Sequence, residues 1–251
     1  TFFGTAGGRA HPRTRTTLSF GEQLRLGMQN QPFVALLFAK FTQLFGLFTG
    51  TAMLIFIVKY VLAKEQPGTW LLYFTVASFI AQLLSIPFWT KITLAFEKQR
   101  AYTLATAIFM LASLSWMIAG PGESLWFFVL RAIVKGFSAG GLLLMGQSML
   151  PDVIEYDYRR TGLRREGVFS GFYSFVEKTS FAIAPAIVGF ILQAYHFDKM
   201  AKLQPPEALR GILVVQAILP AIYFATSVAV LWFYRLTEAT LKNTKPQDPP
   251  A

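Results

Sequence analysis

Charged residues are scarce in this sequence. Asp, Glu, Lys and Arg make up 14% of it against 54% hydrophobic residues, and the mean hydropathy is +0.46. An average soluble domain carries about 25% charge. So little charge cannot cover a soluble fold, and lipid is the expected solvent for much of the chain. Cysteine is absent, which excludes disulfides and thiolate metal sites. Histidine is nearly absent: His11 and His196 are the two, both outside the apolar stretches. No H-E-x-x-H, G-x-S-x-G or P-loop pattern occurs, so neither an enzyme nor a metal site is expected. Thr1–Gln31 lacks the apolar run of a secretory leader, and the first residue is Thr rather than Met, as in a fragment or a processed product.

What is present is six long apolar stretches: Phe33–Leu62, Thr69–Trp89, Ala101–Ala119, Leu125–Ser148, Gly167–Tyr195 and Gly211–Tyr234. A helix rises about 1.5 Å per residue and lipid hydrocarbon is about 30 Å thick, so about 20 apolar residues span it. Leu71–Phe88 and Ile212–Phe233 have almost no polar face, unlike helices of a soluble bundle. Membrane strands would alternate polar with apolar, and these stretches do not. The fold class is therefore all-α integral membrane, with a basic lead segment at 1–31, a six-helix domain at 32–236 and a tail at 237–251. Ser19 and Glu22 have capping-box spacing, so either a short interfacial helix over Phe20–Gln29 or a plain linker follows. Thr1–Thr17 and Asn243–Ala251 read as disordered.

The net charge of +10 invites a nucleic-acid partner, but its placement argues against one. Fourteen Lys and Arg residues fall in the termini and loops of one side, four on the other and five within spans. The excess predicts that the basic side, with both termini, faces the cytoplasm.

Charges at membrane depth are costly and mark function by default. Arg131 and Lys135 lie one turn apart in span four, with Lys135 about 15 Å deep. Glu177 and Lys178 lie about 16 Å into span five. Lys40 is about 10 Å deep, within snorkelling reach. Three deep cations, Arg131, Lys135 and Lys178, face one anion, Glu177. Acidic groups from a partner, an anionic substrate, or both are expected to meet them. Gly136/Gly140 and Gly167/Gly171 have the G-x-x-x-G spacing of closely approaching helices, and Pro185 and Pro220 fall inside spans.

Between spans four and five, acids cluster first and arginines follow: Asp152, Glu155, Tyr156, then Arg164, Arg165 and Glu166. Facing charges of this kind form either a latch that opens and closes as a gate or a solvated loop that sets orientation. The order Asp152-x-x-x-Tyr156, then Gly162-x-Arg164-x-Glu166-Gly167, then a helix with a deep Lys178, resembles the glycoside–pentoside–hexuronide:cation symporters of the major facilitator superfamily. Asn30–Phe33 resembles that family's entry into helix seven. Pro87–Trp89 through Glu97–Arg100 resembles the superfamily's basic loop between helices eight and nine.

The resemblance implies the C-terminal half of a twelve-helix carrier in the cell's inner (plasma) membrane. It implies symport of a sugar or related solute with Na or H as coupling cation, no other cofactor, and an N-terminal six-helix half or another membrane subunit as partner. Lys178 would lie near the substrate or ion site, with Glu177, Tyr173, Lys135 and Arg131 as further candidates. Asp152, Glu155, Tyr156, Arg164, Arg165 and Glu166 would form the cytoplasmic gate. One departure is the lack of an aromatic residue over Gly140–Ser148, where a sugar ring is commonly stacked; Tyr173 is the substitute. Two alternatives stand beside this: a non-transporting scaffold or assembly subunit, and a carrier of lysolipids or other amphiphiles.

Overall fold

The computed structural model describes residues 20–201, 203–234 and 236–244. The expectations placed on Thr1–Thr17, Ser19 and 245–251, and the loop cations Lys202 and Arg235, lie outside the described residues. All regular structure among the described residues is helical, and six helical segments are long and apolar enough to cross a membrane.

Helix α1 (Phe20–Met28) is the short amphipathic helix of the lead segment. Pro32 cannot donate a backbone hydrogen bond, so it falls in the first turn of α2 (Gln31–Phe56). Asn30 caps α2 by accepting from the Phe33 N–H at 3.2 Å. A π-helical turn, Ile57–Val61, prolongs α2. Then come α3 (Pro67–Ala95), α4 (Lys98–Leu114, with a 3-10 turn at Ser115–Ile118), α5 (Leu125–Thr161) and α6 (Glu166–Ala194). The sixth crossing is α7 (Pro206–Leu213), a π-helical turn at Val214–Ile218, and α8 (Leu219–Leu231). A last short helix, α9 (Glu238–Asn243), is capped by Thr237 and closes the described chain.

Two sequence expectations need correction. The basic stretch after Pro87 is not a loop: α3 stays helical through Pro87 to Ala95, and the break is Phe96–Glu97. The charged stretch after Ser148 is likewise helix as far as Thr161, helped by the Glu155–Arg159 pair one turn apart at 2.7 Å. It ends at Gly162, whose φ of +69° a side chain would resist and whose N–H closes on Tyr158 O at 2.8 Å.

The helices are unequally buried. α2 packs on α6 and α8, and α4 packs on α5 and α8. α3 packs chiefly on α5, and its buried residues are Ser85 and Trp89. The glycines of α5 make that contact possible. A β-carbon on Gly136 would stand 2.0 Å from Ser78 O, one on Gly140 2.0 Å from Ser85 Oγ, and one on Gly141 2.6 Å from the Trp89 ring. Trp89 donates to Phe137 O at 2.7 Å. The other small-residue pair differs: Gly167 and Gly171 face open space. α6 offers the bundle a narrow stripe, Phe169, Tyr173, Ser180, Ala184, Val188 and Leu192, and leaves its other faces exposed.

Candidate functional site

A cavity of about 230 Å³ lies between α2, α3, α4, α5 and the π-turn before α8. Its polar side chains come from Thr51, Thr75, Ser78, Gln82, Lys135 and Gln216, and its apolar wall from Leu47, Leu54, Phe74 and Phe109. Lys135 is 7% exposed. Its Nζ stands 5.1 Å from the Phe109 ring centroid, and a β-carbon on Gly50 would lie 3.5 Å from it. Among the described residues it has no ion pair and its ammonium makes no hydrogen bond. The aromatic face offers partial compensation for a buried cation.

Gln216 is fully buried, and both its amide nitrogen and its amide oxygen lack a partner. Sequence reasoning passed it over because it sits in an apolar run. Pro220 supplies no N–H to the preceding turn, and the chain there widens into the π-helical turn that carries Gln216.

A second polar pair lies between α2, α5 and α6. Lys40 is 5% exposed, with Nζ 5.2 Å from the Tyr173 ring centroid. It does not snorkel out. The Tyr173 hydroxyl is buried without a partner. A β-carbon on Gly146 would stand 2.9 Å from that hydroxyl and 3.5 Å from Lys40 Nζ, so two donors converge on one glycine. Glu177 is within Coulombic reach of both Lys40 and Tyr173.

None of the remaining inner candidates lines the Lys135 cavity. Glu177 and Lys178 are exposed on α6, which contributes no residue to that cavity. Arg131 was expected to need a partner from beyond the chain, but Glu123 of the preceding loop pairs with it. Arg131 also donates to Ser115 Oγ at 3.1 Å and Ser115 O at 3.0 Å and lies over the Trp116 ring. These contacts tie the C-terminal end of α4 to the first turns of α5.

At the basic end, Asp157 and Arg165 form a buried pair, with Arg165 Nη2 at 2.7 Å and Nε at 3.0 Å from the carboxylate oxygens. Asn30 Nδ2 also donates to Asp157 at 3.4 Å, so three helix ends meet there. Lys98 of α4 pairs with Asp152 at 2.6 Å, and Arg159 donates to Leu241 O of α9 at 2.7 Å. Of the expected gate residues, Asp152 and Arg165 thus bridge helices, while Glu155 pairs within its own helix. Tyr156 packs half-buried against the apolar core. Arg164 and Glu166 form an exposed pair at 3.6 Å. An exposed ion pair is worth about 0–1 kcal/mol, so Arg164→Ala is expected to leave the melting temperature of the protein within about 2 °C of wild type. A larger drop in a detergent melt would mean that Arg164 holds more than this surface pair.

Residues 2–238 match the family described as MFS/sugar transport protein. An uncharacterised symporter of Synechocystis sp. is 26% identical over 94% of this chain and 44% of its own length. A putative glycoside/cation symporter of Escherichia coli is 26% identical over 75% of this chain and 40% of its own. A sphingosine-1-phosphate transporter of Xenopus tropicalis is 31% identical over 66% of this chain and 32% of its own. The chain spans less than half the length of these curated relatives.

Proposed function

Since the chain belongs to the MFS/sugar transport protein family, with the glycoside–pentoside–hexuronide:cation symporters of the major facilitator superfamily, we propose that it forms helices seven to twelve of a twelve-helix carrier. The intact carrier moves a sugar or related small solute together with a sodium ion or a proton. It sits in the inner membrane with both termini in the cytoplasm, the side the basic excess favours.

The observation that carries this reading is the cavity among the crossing helices, with its unpaired Lys135 and Gln216. A few polar groups converging in a mostly apolar, concave site are what a small-solute site needs. At about 230 Å³ it is smaller than most ligand pockets, which start near 300 Å³, and suits a monosaccharide-sized solute or one end of a longer one.

Glu177 and Lys178 support a partner half packed against α6. Mid-helix charges facing lipid are expensive, so a protein surface is the better cover for the face of α6 that carries them. The partner is then the N-terminal six-helix half, and rocking of the two halves exposes the cavity to each side in turn. The buried Asp157–Arg165 pair and the Lys98–Asp152 pair latch the basic end.

In the intact carrier, Lys178→Ala is expected to abolish solute uptake while expression and membrane insertion stay normal. Wild-type uptake by that variant would refute a role for Lys178 at the substrate or ion site. The amphiphile-carrier reading draws on the likeness to the sphingosine-1-phosphate transporter, and uptake of a labelled lysolipid in place of any sugar would favour it.

A further inference from the structure

We propose that Lys135 and Gln216 form one subsite that reads an acid group with a neighbouring hydroxyl, so that the transported solute is an anion; this rests on the transport reading above. The two side chains line the same cavity from opposite sequence neighbourhoods, α5 and the π-turn before α8. Their needs are complementary. Lys135 supplies a cation with no counter-ion among the described residues, and burial makes an uncompensated cation costly. Gln216 offers one free donor and one free acceptor, the pairing that a single hydroxyl group satisfies.

The surroundings separate this subsite from the other deep charges. Arg131, one turn away on α5, is already neutralised by Glu123 and held by Ser115. Glu177, the deep carboxylate, lies within Coulombic reach of Lys40, and it does not line the cavity that holds Lys135. Of the deep groups on the cavity wall, Lys135 is therefore the free cation. Phe109 and Phe74 give that wall apolar faces on which a ring or a chain can lie. The acid could belong to a sugar acid or to the head of a phospholipid; the shared chemistry is an anionic oxygen beside a hydroxyl.

The test uses the intact carrier, purified in detergent, with D-glucuronate, lysophosphatidate and D-glucose as probes. One of the two acids is expected to bind roughly tenfold more tightly than glucose, the range of one hydrogen bond to a charged group. Lys135→Met is expected to erase that preference and, without any ligand, to raise the melting temperature, because it removes an unpaired buried charge. Gln216→Leu is expected to weaken the acid less than Lys135→Met does.

A Lys135→Met carrier that melts lower than wild type without ligand would overturn the proposal, since it would mean that a carboxylate of the carrier already partners Lys135. Equal binding of glucose and the acids, or binding of none, would overturn it too. Uptake of the acid probes that Lys135→Met leaves unchanged would sink the subsite and keep the transport reading. Acid binding that depends on Lys135, with no uptake of any probe, would keep the subsite and sink transport. Binding of glucuronate alone identifies a sugar acid, and binding of lysophosphatidate alone identifies an amphiphile.

Discussion

Asp157→Ala is expected to cost about 3–5 kcal/mol, because it strands a buried guanidinium. The side chains of Arg165 and Asp157 are 1% and 4% exposed, and Arg165 reaches both carboxylate oxygens. The penalty arises from what is left behind: Arg165, on the short link between α5 and α6, cannot follow the missing carboxylate into water without unwinding the start of α6. Arg165→Ala leaves the opposite orphan, Asp157, with Asn30 as its remaining donor at 3.4 Å. The double variant Asp157→Leu, Arg165→Met is expected to be much less destabilised than the two single variants summed, since no charge remains buried. Thermal unfolding of the four proteins in detergent checks this. Additive losses would mean that the two side chains are stabilised separately and that the pair is not one unit. If the pair also latches the basic end, Asp157→Asn is expected to slow transport cycling while leaving solute affinity near wild type.

The six crossings were legible because hydrophobic length depends on composition rather than on neighbours. The glycine contact was half legible. Gly136 and Gly140 have the same spacing as Gly167 and Gly171, and only the first pair meets a neighbour, because spacing says which face is smooth and not what lies against it. The charged stretch after Ser148 was misread as loop because its polarity hid a helical stripe. Leu150, Val153 and Asp157 follow one another at three- and four-residue steps, Met149 lies four residues before Val153, and all four are buried. Read as helix, that stripe singles out Asp157 over Asp152 and Glu155.

The deep charges show where such reading stops. Arg131 lies six residues inside α5, about 9 Å from its start, which a long side chain can reverse. Its partner Glu123 was in view just before the helix, in the turn that contains Gly120, Pro121 and Gly122, but a turn must be folded before its side chain has a direction. Gln216 could not be found from periodicity at all, since the π-turn shifts the helix face by one residue. The convergence of Lys40 and Tyr173 on Gly146 is tertiary: three helices supply one residue each.

Gly136→Ala tests how α3 is held, and its expected effect reaches both stability and transport. The added methyl group would stand 2.0 Å from Ser78 O and 2.7 Å from Ser78 Cα, and these are backbone atoms that no rotamer change can move aside. The two helices must separate. α3 has little else to hold it: Ser85 and Trp89 are its buried residues, and both dock on the same glycine face of α5, at Gly140 and Gly141. Overpacking costs about 1–3 kcal/mol where neighbours can yield and more where they cannot, so a loss at or above the top of that range is expected. Because α3 contributes Thr75, Ser78 and Gln82 to the cavity wall, and Gly136 itself borders the cavity, its displacement opens the site. In the proposed intact carrier, uptake is expected to fall below about a tenth of wild type, since misplacing a binding group by an ångström costs orders of magnitude. Gly68→Ala, in open space in the first turn of the same helix, is the control and should fold as wild type or slightly better. Wild-type melting by Gly136→Ala would show that α3 and α5 do not touch backbone to backbone, and the cavity between them would have to be redrawn.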